Sequence, residues 1–83
     1  MIMKNKIKEG LTKIFRDVFA DSSIEINDEM SSRDVENWDS LAHLLMLKQV
    51  ESEFKITFKI REMATIQNVG DLIKVIEEKL ETI

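Results

Sequence analysis

Hydrophobic residues recur at three- and four-residue spacings in three stretches of the chain, a spacing typical of amphipathic helices. In residues 4–20 the repeat consists of Ile7, Leu11, Ile14, Phe15, Val18 and Phe19. In residues 40–55 it consists of Leu41, Leu44, Leu45, Met46, Leu47, Val50 and Phe54. From residue 68 to the end of the chain it consists of Val69, Leu72, Ile73, Ile76 and Leu80. The pattern therefore predicts three long helices.

Two of these helices follow a residue type that caps helices. Asp39 stands directly before the second helix and Asn68 directly before the last one. Their side-chain oxygens accept hydrogen bonds from the first unpaired backbone N–H groups of a helix. We therefore expect helix two to begin at Ser40. Gly70 lies in the first turn of the last helix, where the lack of a side chain allows a neighbouring element to approach closely.

The connecting segments have different patterns. Residues 21–39 are rich in Asp, Ser, Asn and Glu, which favour turns, so we expect a long loop; the alternative is a short helical turn within it. Residues 56–60 alternate and are β-branched, but a lone strand has no partner, so we expect an extended connector. A short helical turn is predicted at residues 60–64. The predicted fold class is all-α, a small bundle of three to four helices with a long loop between helices one and two.

Length and composition limit the possible functions. The 83 residues suffice for a single domain spanning residues 1–83. A net charge of −4 argues against binding to nucleic acid, which requires clustered Lys and Arg. No apolar run is long enough to cross a bilayer, so we expect no membrane insertion and a cytoplasmic location. The chain has no cysteine, so it offers no Cys-based metal site and no thiol of its own.

A short motif at the predicted start of helix two changes this general description. The triplet Asp39-Ser40-Leu41 follows the long acidic loop, and the stretches ESEFKI (51–56) and IQNV (66–69) come after it. Over essentially the whole chain this arrangement resembles the acyl carrier proteins and the related peptidyl and aminoacyl carrier domains. The resemblance implies a bundle of the acyl-carrier type with 4′-phosphopantetheine attached to Ser40. It also implies an acyl or aminoacyl cargo held as a thioester on that arm.

The resemblance further implies a set of partners. A phosphopantetheinyl transferase would attach the arm, with Asp39 both capping the helix and contributing to recognition by the transferase. Acyl-loading and acyl-transferring enzymes of fatty-acid, polyketide or related secondary biosynthesis would then use the carrier, which itself catalyses nothing. Independently of the family, a serine in a first helical turn favours a bound phosphate by about 0.3–1 kcal/mol through the helix dipole. The alternative is that Asp39 and Ser40 are only a cap and a first-turn residue.

Helical spacing divides helix two into two faces. One face is predicted to meet solvent or partner enzymes and contains Leu41, Leu44, Leu45 and Lys48. In fatty-acid-synthesis carriers the corresponding surface is typically acidic, so the resemblance implies more apolar docking here; the alternative is that the bundle covers Leu44 or Leu45. The opposite face provides candidates for a cargo pocket, namely His43, Leu47, Val50 and Phe54.

Two aromatic residues near the motif each have two interpretations. His43 either lines the mouth of a cargo cavity or has a structural partner, and Trp38 either packs the loop end or docks on partners.

With one His and no Cys, neither a catalytic nor a metal site is predicted. A hydrolase using Ser40 and His43 is excluded because residues three apart on a helix point about 300° apart. The remaining alternative is an unmodified helical interaction module of the same fold, and in either case we expect a monomer.

Overall fold

The computed structural model describes residues 2–81, with side chains from residue 5 onwards. It contains four helices, α1 (Ile2–Val18), α2 (Ser40–Phe54), α3 (Ile60–Thr65) and α4 (Val69–Glu81). Residues 2–81 include no β-strand, and an isolated antiparallel bridge joins Ser31 to Asn68. The predicted all-α class, the three long helices and the short fourth helix are confirmed.

The core lies where α1 packs against both α2 and α4. Its largest fully buried side chains come from these three helices and are Ile7, Leu11, Phe15, Met46, Leu47, Val50, Val69, Leu72 and Ile76. Burying an apolar side chain of this size contributes about 1.5–3 kcal/mol, so this interface is the main source of stability. No polar or charged side chain is buried in the part of the chain that the structure describes.

The end of α1 differs from the prediction. The apolar pattern continues to residue 20, but the helix ends at Val18. Ala20 adopts a left-handed conformation, with φ of 52°. The N–H of Asp21 donates to the carbonyl of Arg16 at 3.1 Å, which closes the helix in a Schellman motif. The sequence gives no signal for this ending because alanine occupies a position that usually requires glycine.

Residues 19–39 form the predicted long loop, with turns and no helix. Its buried side chains tether it to the bundle and are Phe19, Ile24, Met30, Val35 and Trp38. The Trp38 ring packs edge-on against Phe15, with ring centroids 5.3 Å apart, and lies 5.7 Å from the ring of Phe19. The prediction that Trp38 packs the loop end against the bundle is confirmed. The loop is thus fixed directly before the start of α2.

The same loop crosses the first turn of α4. The N–H of Val69 donates to the carbonyl of Met30 at 2.9 Å, and that of Gly70 to the carbonyl of Asp28 at 2.8 Å. A Cβ atom on Gly70 would lie 3.0 Å from the Asp28 oxygen. The close approach predicted at Gly70 is therefore confirmed. Lys8 on α1 also pairs with Asp28 at 3.3 Å, so the loop is held from two sides.

The segment between α2 and α4 follows the predicted order of an extended connector and a short helix. Residues 56–59 have no regular secondary structure, Lys59 is extended, and the backbone N–H of Phe58 donates to the Glu51 carboxylate at 2.7 Å. Within α3, Glu62 accepts a hydrogen bond from the N–H of Lys59 and pairs with Lys79 of α4, both at 2.8 Å. None of the side chains of α3 is fully buried, but Met63 packs partly buried against the core, and polar contacts at both ends of the helix add to this packing.

Candidate functional site

Ser40 is the first residue of α2, and its side chain is exposed. The carboxylate of Asp39 accepts a hydrogen bond from the N–H of Ala42 at 2.8 Å, and the Asp39 carbonyl accepts one from the N–H of His43 at 2.9 Å. The predicted cap is thereby confirmed. Within residues 2–81, the Ser40 hydroxyl and the N–H groups of Ser40 and Leu41 have no hydrogen-bond partner. One hydroxyl and two backbone donors are therefore available at this helix start.

This arrangement fits a covalently attached phosphate. The unpaired N–H groups of Ser40 and Leu41 lie at the positive end of the α2 dipole, which favours an anion by about 0.3–1 kcal/mol. The exposure of Ser40 leaves the hydroxyl open to a partner enzyme. Asp39 stabilises the first turn through its side chain and so holds Ser40 in position.

Trp38 and His43 form a hydrogen-bonded pair beside Ser40. The Trp38 Nε1–H donates to Nδ1 of His43 at 3.0 Å, and the two rings stack with centroids 6.0 Å apart. Because Nδ1 accepts this bond, His43 is neutral and carries its proton on Nε2. Burial lowers the pKa of His43 below its usual value, against the opposing effect of a backbone hydrogen bond with Met63. His43 therefore has a structural partner and links the loop end, α2 and α3.

A cleft of about 960 Å³ opens beside Ser40, between the long loop and the start of α4. The loop contributes Ser31, Ser32 and Arg33 to its walls, and the segment before α4 contributes Gln67 and Asn68. The Ser31–Asn68 bridge holds these two walls together. The cleft is thus built from segments that are far apart in sequence and meets the exposed serine at one edge.

The four residues predicted to form a cargo pocket are not brought together. His43 lines the cleft beside Ser40. Leu47 and Val50 lie in the closed core, with 1% and 0% of their surface exposed. Phe54 lines a second cavity, of about 630 Å³, near Gly10. At 1.5 Å per residue, Phe54 lies about 21 Å along α2 from Ser40, at the opposite end of the helix.

The predicted docking face of α2 is exposed. Leu41 has 67% of its surface exposed, and Leu44 and Leu45 have 51% each. Lys48 is exposed as well. The alternative that the bundle covers Leu44 or Leu45 is wrong. Leu44 also lines the cleft, so the apolar face and the cleft share an edge next to Ser40.

Several cleft residues were not among the residues predicted from the sequence, in particular Ser31, Arg33 and Gln67. Nothing in their local sequence marks them, since a serine, an arginine and a glutamine in polar segments are ordinary surface residues. The Ser31–Asn68 bridge and the backbone hydrogen bonds from Val69 and Gly70 to the loop bring the two segments together. A tertiary contact of this kind leaves no periodic signal in one sequence.

Comparison with known proteins adds independent findings. The chain is similar to the solution structure of a holo acyl carrier protein from Geobacter metallireducens, with a TM-score of 0.83 and 40% identity over 89% of this chain and 85% of that chain. It also shares its fold with a protein from Mycobacterium tuberculosis provisionally named an acyl carrier protein, with a TM-score of 0.64 and 22% identity over 96% of both chains. No family model matches the chain, and no curated protein matches it either.

Proposed function

The chain belongs to the acyl carrier protein family, and we propose from this premise that Ser40 carries a 4′-phosphopantetheine arm. The observation that supports the proposal is the exposed, unbonded hydroxyl of Ser40 at the first position of a capped helix. Through the arm the chain delivers an acyl or aminoacyl group between partner enzymes. The work of the carrier is delivery, and catalysis belongs to its partners.

Attachment of the arm is a balanced phosphoryl transfer from coenzyme A. The Ser40 oxygen forms a new bond to the phosphorus that bears pantetheine, and the anhydride bond to the second phosphorus of coenzyme A breaks. Adenosine 3′,5′-bisphosphate leaves, and the hydroxyl proton passes to a base that the transferase supplies. When bound, the arm supplies the terminal thiol that this cysteine-free chain lacks. Asp39 fixes the helix start and contributes to recognition by the transferase.

The exposed apolar face of α2 is proposed as the docking surface for partner enzymes. It comprises Leu41, Leu44, Leu45 and Lys48. Three exposed leucines beside a modified serine favour a partner with an apolar groove, since desolvating them contributes to binding. The partners would be the transferase and enzymes that load and transfer acyl groups in fatty-acid, polyketide or related secondary biosynthesis.

The proposed setting is a single carrier domain of residues 1–83 that works as a monomer in the cytoplasm. Within residues 2–81 no helix combines the length and the apolar character needed to span a bilayer. Of the cargo-pocket candidates, His43 lies nearest to the arm's attachment point. Leu47 and Val50 would contact a cargo only after the core opens, and Phe54 would contact it at the second cavity. An unchanged preference among acyl groups in His43→Ala would remove the cargo role of His43.

Intact-mass spectrometry tests the proposal. The purified apo protein is incubated with coenzyme A, Mg²⁺ and a transferase of broad specificity, and the same is done for Ser40→Ala and Ser52→Ala. Ser52 is an exposed serine on the same helix and provides the matched control. We expect the wild type and Ser52→Ala to gain one phosphopantetheine and Ser40→Ala to gain none. A folded, initially unmodified wild type that gains no mass would instead favour an unmodified interaction module.

A further inference from the structure

The cleft beside Ser40 has the size of a ligand site and a polar lining. Its volume of about 960 Å³ lies in the range of small-molecule pockets, about 300–1,000 Å³. Trp38, Leu44 and Ile66 are its apolar lining residues, and the other nine, which include Ser31, Gln67 and Asn68, are polar or charged. Ordinary small-molecule pockets are mostly apolar, so this more polar lining favours a small polar ligand over an aliphatic one.

Three of the side chains that line the cleft are charged. Glu29 and Asp39 are acidic, and the carboxylate of Asp39 is already bonded to the helix start. Arg33 is the one Lys or Arg among the cleft residues. Within residues 2–81 the Arg33 guanidinium has no hydrogen bond and no ion pair. An unpaired guanidinium binds anionic oxygens well, because its planar fork donates two parallel hydrogen bonds.

The apolar core offers no comparable space near Ser40. Met46, Leu47 and Val50, which follow the start of α2 into the core, are each no more than 1% exposed. A long aliphatic group could enter only by displacing such side chains, and overpacking a closed core costs about 1–3 kcal/mol. A short polar group in the open cleft meets no such cost.

We propose, resting on the proposed modification of Ser40, that the loaded arm lies in this cleft with a short polar acyl group and that Arg33 there binds an anionic oxygen group. The anionic group has two sources. It is either a carboxylate at the end of the acyl group or the phosphodiester that joins the arm to Ser40. Both sources present the same chemistry to the guanidinium, and the experiment separates them.

The experiment compares three loaded forms of the full chain by amide NMR. A broad-specificity transferase attaches the arm from coenzyme A, butyryl-coenzyme A or succinyl-coenzyme A, and intact mass verifies each product. Butyryl and succinyl both have four carbons, and succinyl alone ends in a carboxylate. The wild type is compared with Arg33→Gln, with the charge-retaining Arg33→Lys, and with Lys74→Gln as a control for an exposed cation on α4 outside the cleft.

We expect loading to shift the backbone amide signals of Ser31, Arg33 and Gln67. If the carboxylate is the source, these amide signals shift further in the succinyl form than in the butyryl form. This additional shift is lost in Arg33→Gln, is partly kept in Arg33→Lys and is unchanged in Lys74→Gln. If the phosphodiester is the source, the same dependence on Arg33 is already present in the unacylated form.

Two results would overturn the inference. The first is a protein that gains the expected mass while the cleft amides of every loaded form are unchanged or respond identically in Arg33→Gln. The second is a shift confined to the core amides of Leu47 and Val50. Both leave the modification of Ser40 intact, so they contradict this inference alone, whereas a missing mass gain would overturn the proposed function together with it.

Discussion

The helix starts of α2 and α4 have the same local design and opposite surroundings. In each, the side-chain oxygen of the cap, Asp39 or Asn68, accepts a hydrogen bond from the N–H three residues later at 2.8 Å. At α4 the loop carbonyls accept the two remaining N–H groups, those of Val69 and Gly70. At α2 the two corresponding N–H groups have no acceptor within residues 2–81.

The difference shows that the same capped helix start is closed in one helix and open in the other. Every unpaired N–H at a helix start requires a partner, and a cap supplies only part of that need. The loop completes the start of α4, whose first residue, Val69, is fully buried. The start of α2 remains open and presents an exposed serine. The same cap signal in sequence therefore marks a structural site in one helix and a candidate attachment site in the other.

The largest expected effect comes from removing the loop's close approach to α4. In Gly70→Val the new side chain would meet the carbonyl of Asp28, since even a Cβ would lie 3.0 Å from it. We expect the free energy of unfolding, measured by urea denaturation, to fall by about 2 kcal/mol. Lys74→Val places valine at an exposed position of the same helix and should cost only about 0.5 kcal/mol. An equal fall in the free energy of unfolding in the two variants would contradict the close approach of the loop to Gly70.

Removing either cap should cost similar stability but have different effects on modification. Asp39→Ala and Asn68→Ala each lose one side-chain bond to a backbone N–H, so we expect each to lower the free energy of unfolding by about 1 kcal/mol. The rate of mass gain with the transferase should fall in Asp39→Ala and stay unchanged in Asn68→Ala. Asp39→Asn keeps a capping oxygen and tests the carboxylate separately. Equal slowing in both alanine variants would mean that lost stability alone causes the effect.

The Trp38–His43 pair gives the open helix start a pH dependence. Burial holds the pKa of His43 below its usual 6.5, so the folded state binds a proton less readily than the unfolded state does. The contribution of neutral His43 to the free energy of unfolding is therefore fully present above about pH 6.5. It is lost as the pH falls from there through the lowered pKa of the folded state. As the chain's one histidine, His43 can be titrated by NMR without overlap.

The matched variant for this prediction is His43→Gln, which does not titrate. At pH 7.5 it should be less stable than the wild type by about 1 kcal/mol, the usual value of one hydrogen bond. The difference in free energy of unfolding between the two proteins should shrink at pH 5.5. A His43 pKa above 6.5, or a difference that is the same at both pH values, would contradict the hydrogen bond from Trp38.

The smallest expected effect is at the C-terminal end of α1. Ala20 occupies a left-handed conformation that costs a non-glycine residue about 1–2 kcal/mol. A glycine would remove this cost, but the larger entropy that glycine loses on folding would offset part of the gain. We therefore expect Ala20→Gly to raise the free energy of unfolding by about 0.5 kcal/mol and to leave the mass gain at Ser40 unchanged. A loss of stability would show that the Schellman ending of α1 is not formed.

The parts of the molecule that could be predicted from the sequence are the local ones. The caps Asp39 and Asn68, the apolar faces and the exposure of Leu44 and Leu45 all follow from neighbours within a few positions. Helical spacing placed Phe54 on the same face as His43, but spacing says nothing about distance along the helix axis. His43 and Phe54 line different cavities in the structure, and their assignment to one cargo pocket stays a prediction.

The parts that could not be predicted depend on tertiary contacts. The hydrogen bond between Trp38 and His43 joins a loop residue to a helix residue, and no periodicity relates them. The bridge from Ser31 to Asn68 joins the loop to the start of α4, and the cleft between them is lined by Arg33 and Ser40. Such contacts form only once the core between α1, α2 and α4 has positioned the loop.

Amide hydrogen exchange tests most directly whether the start of α2 is open while that of α4 is closed. In the unmodified protein we predict that the N–H groups of Val69 and Gly70 exchange about tenfold or more slowly than those of Ser40 and Leu41. After the arm is attached, the Ser40 and Leu41 groups should slow, because a phosphate accepts their hydrogen bonds, and the α4 groups should not change. Equal exchange at the two helix starts, or no slowing at Ser40 and Leu41 in a protein whose mass shows the arm, would contradict the account.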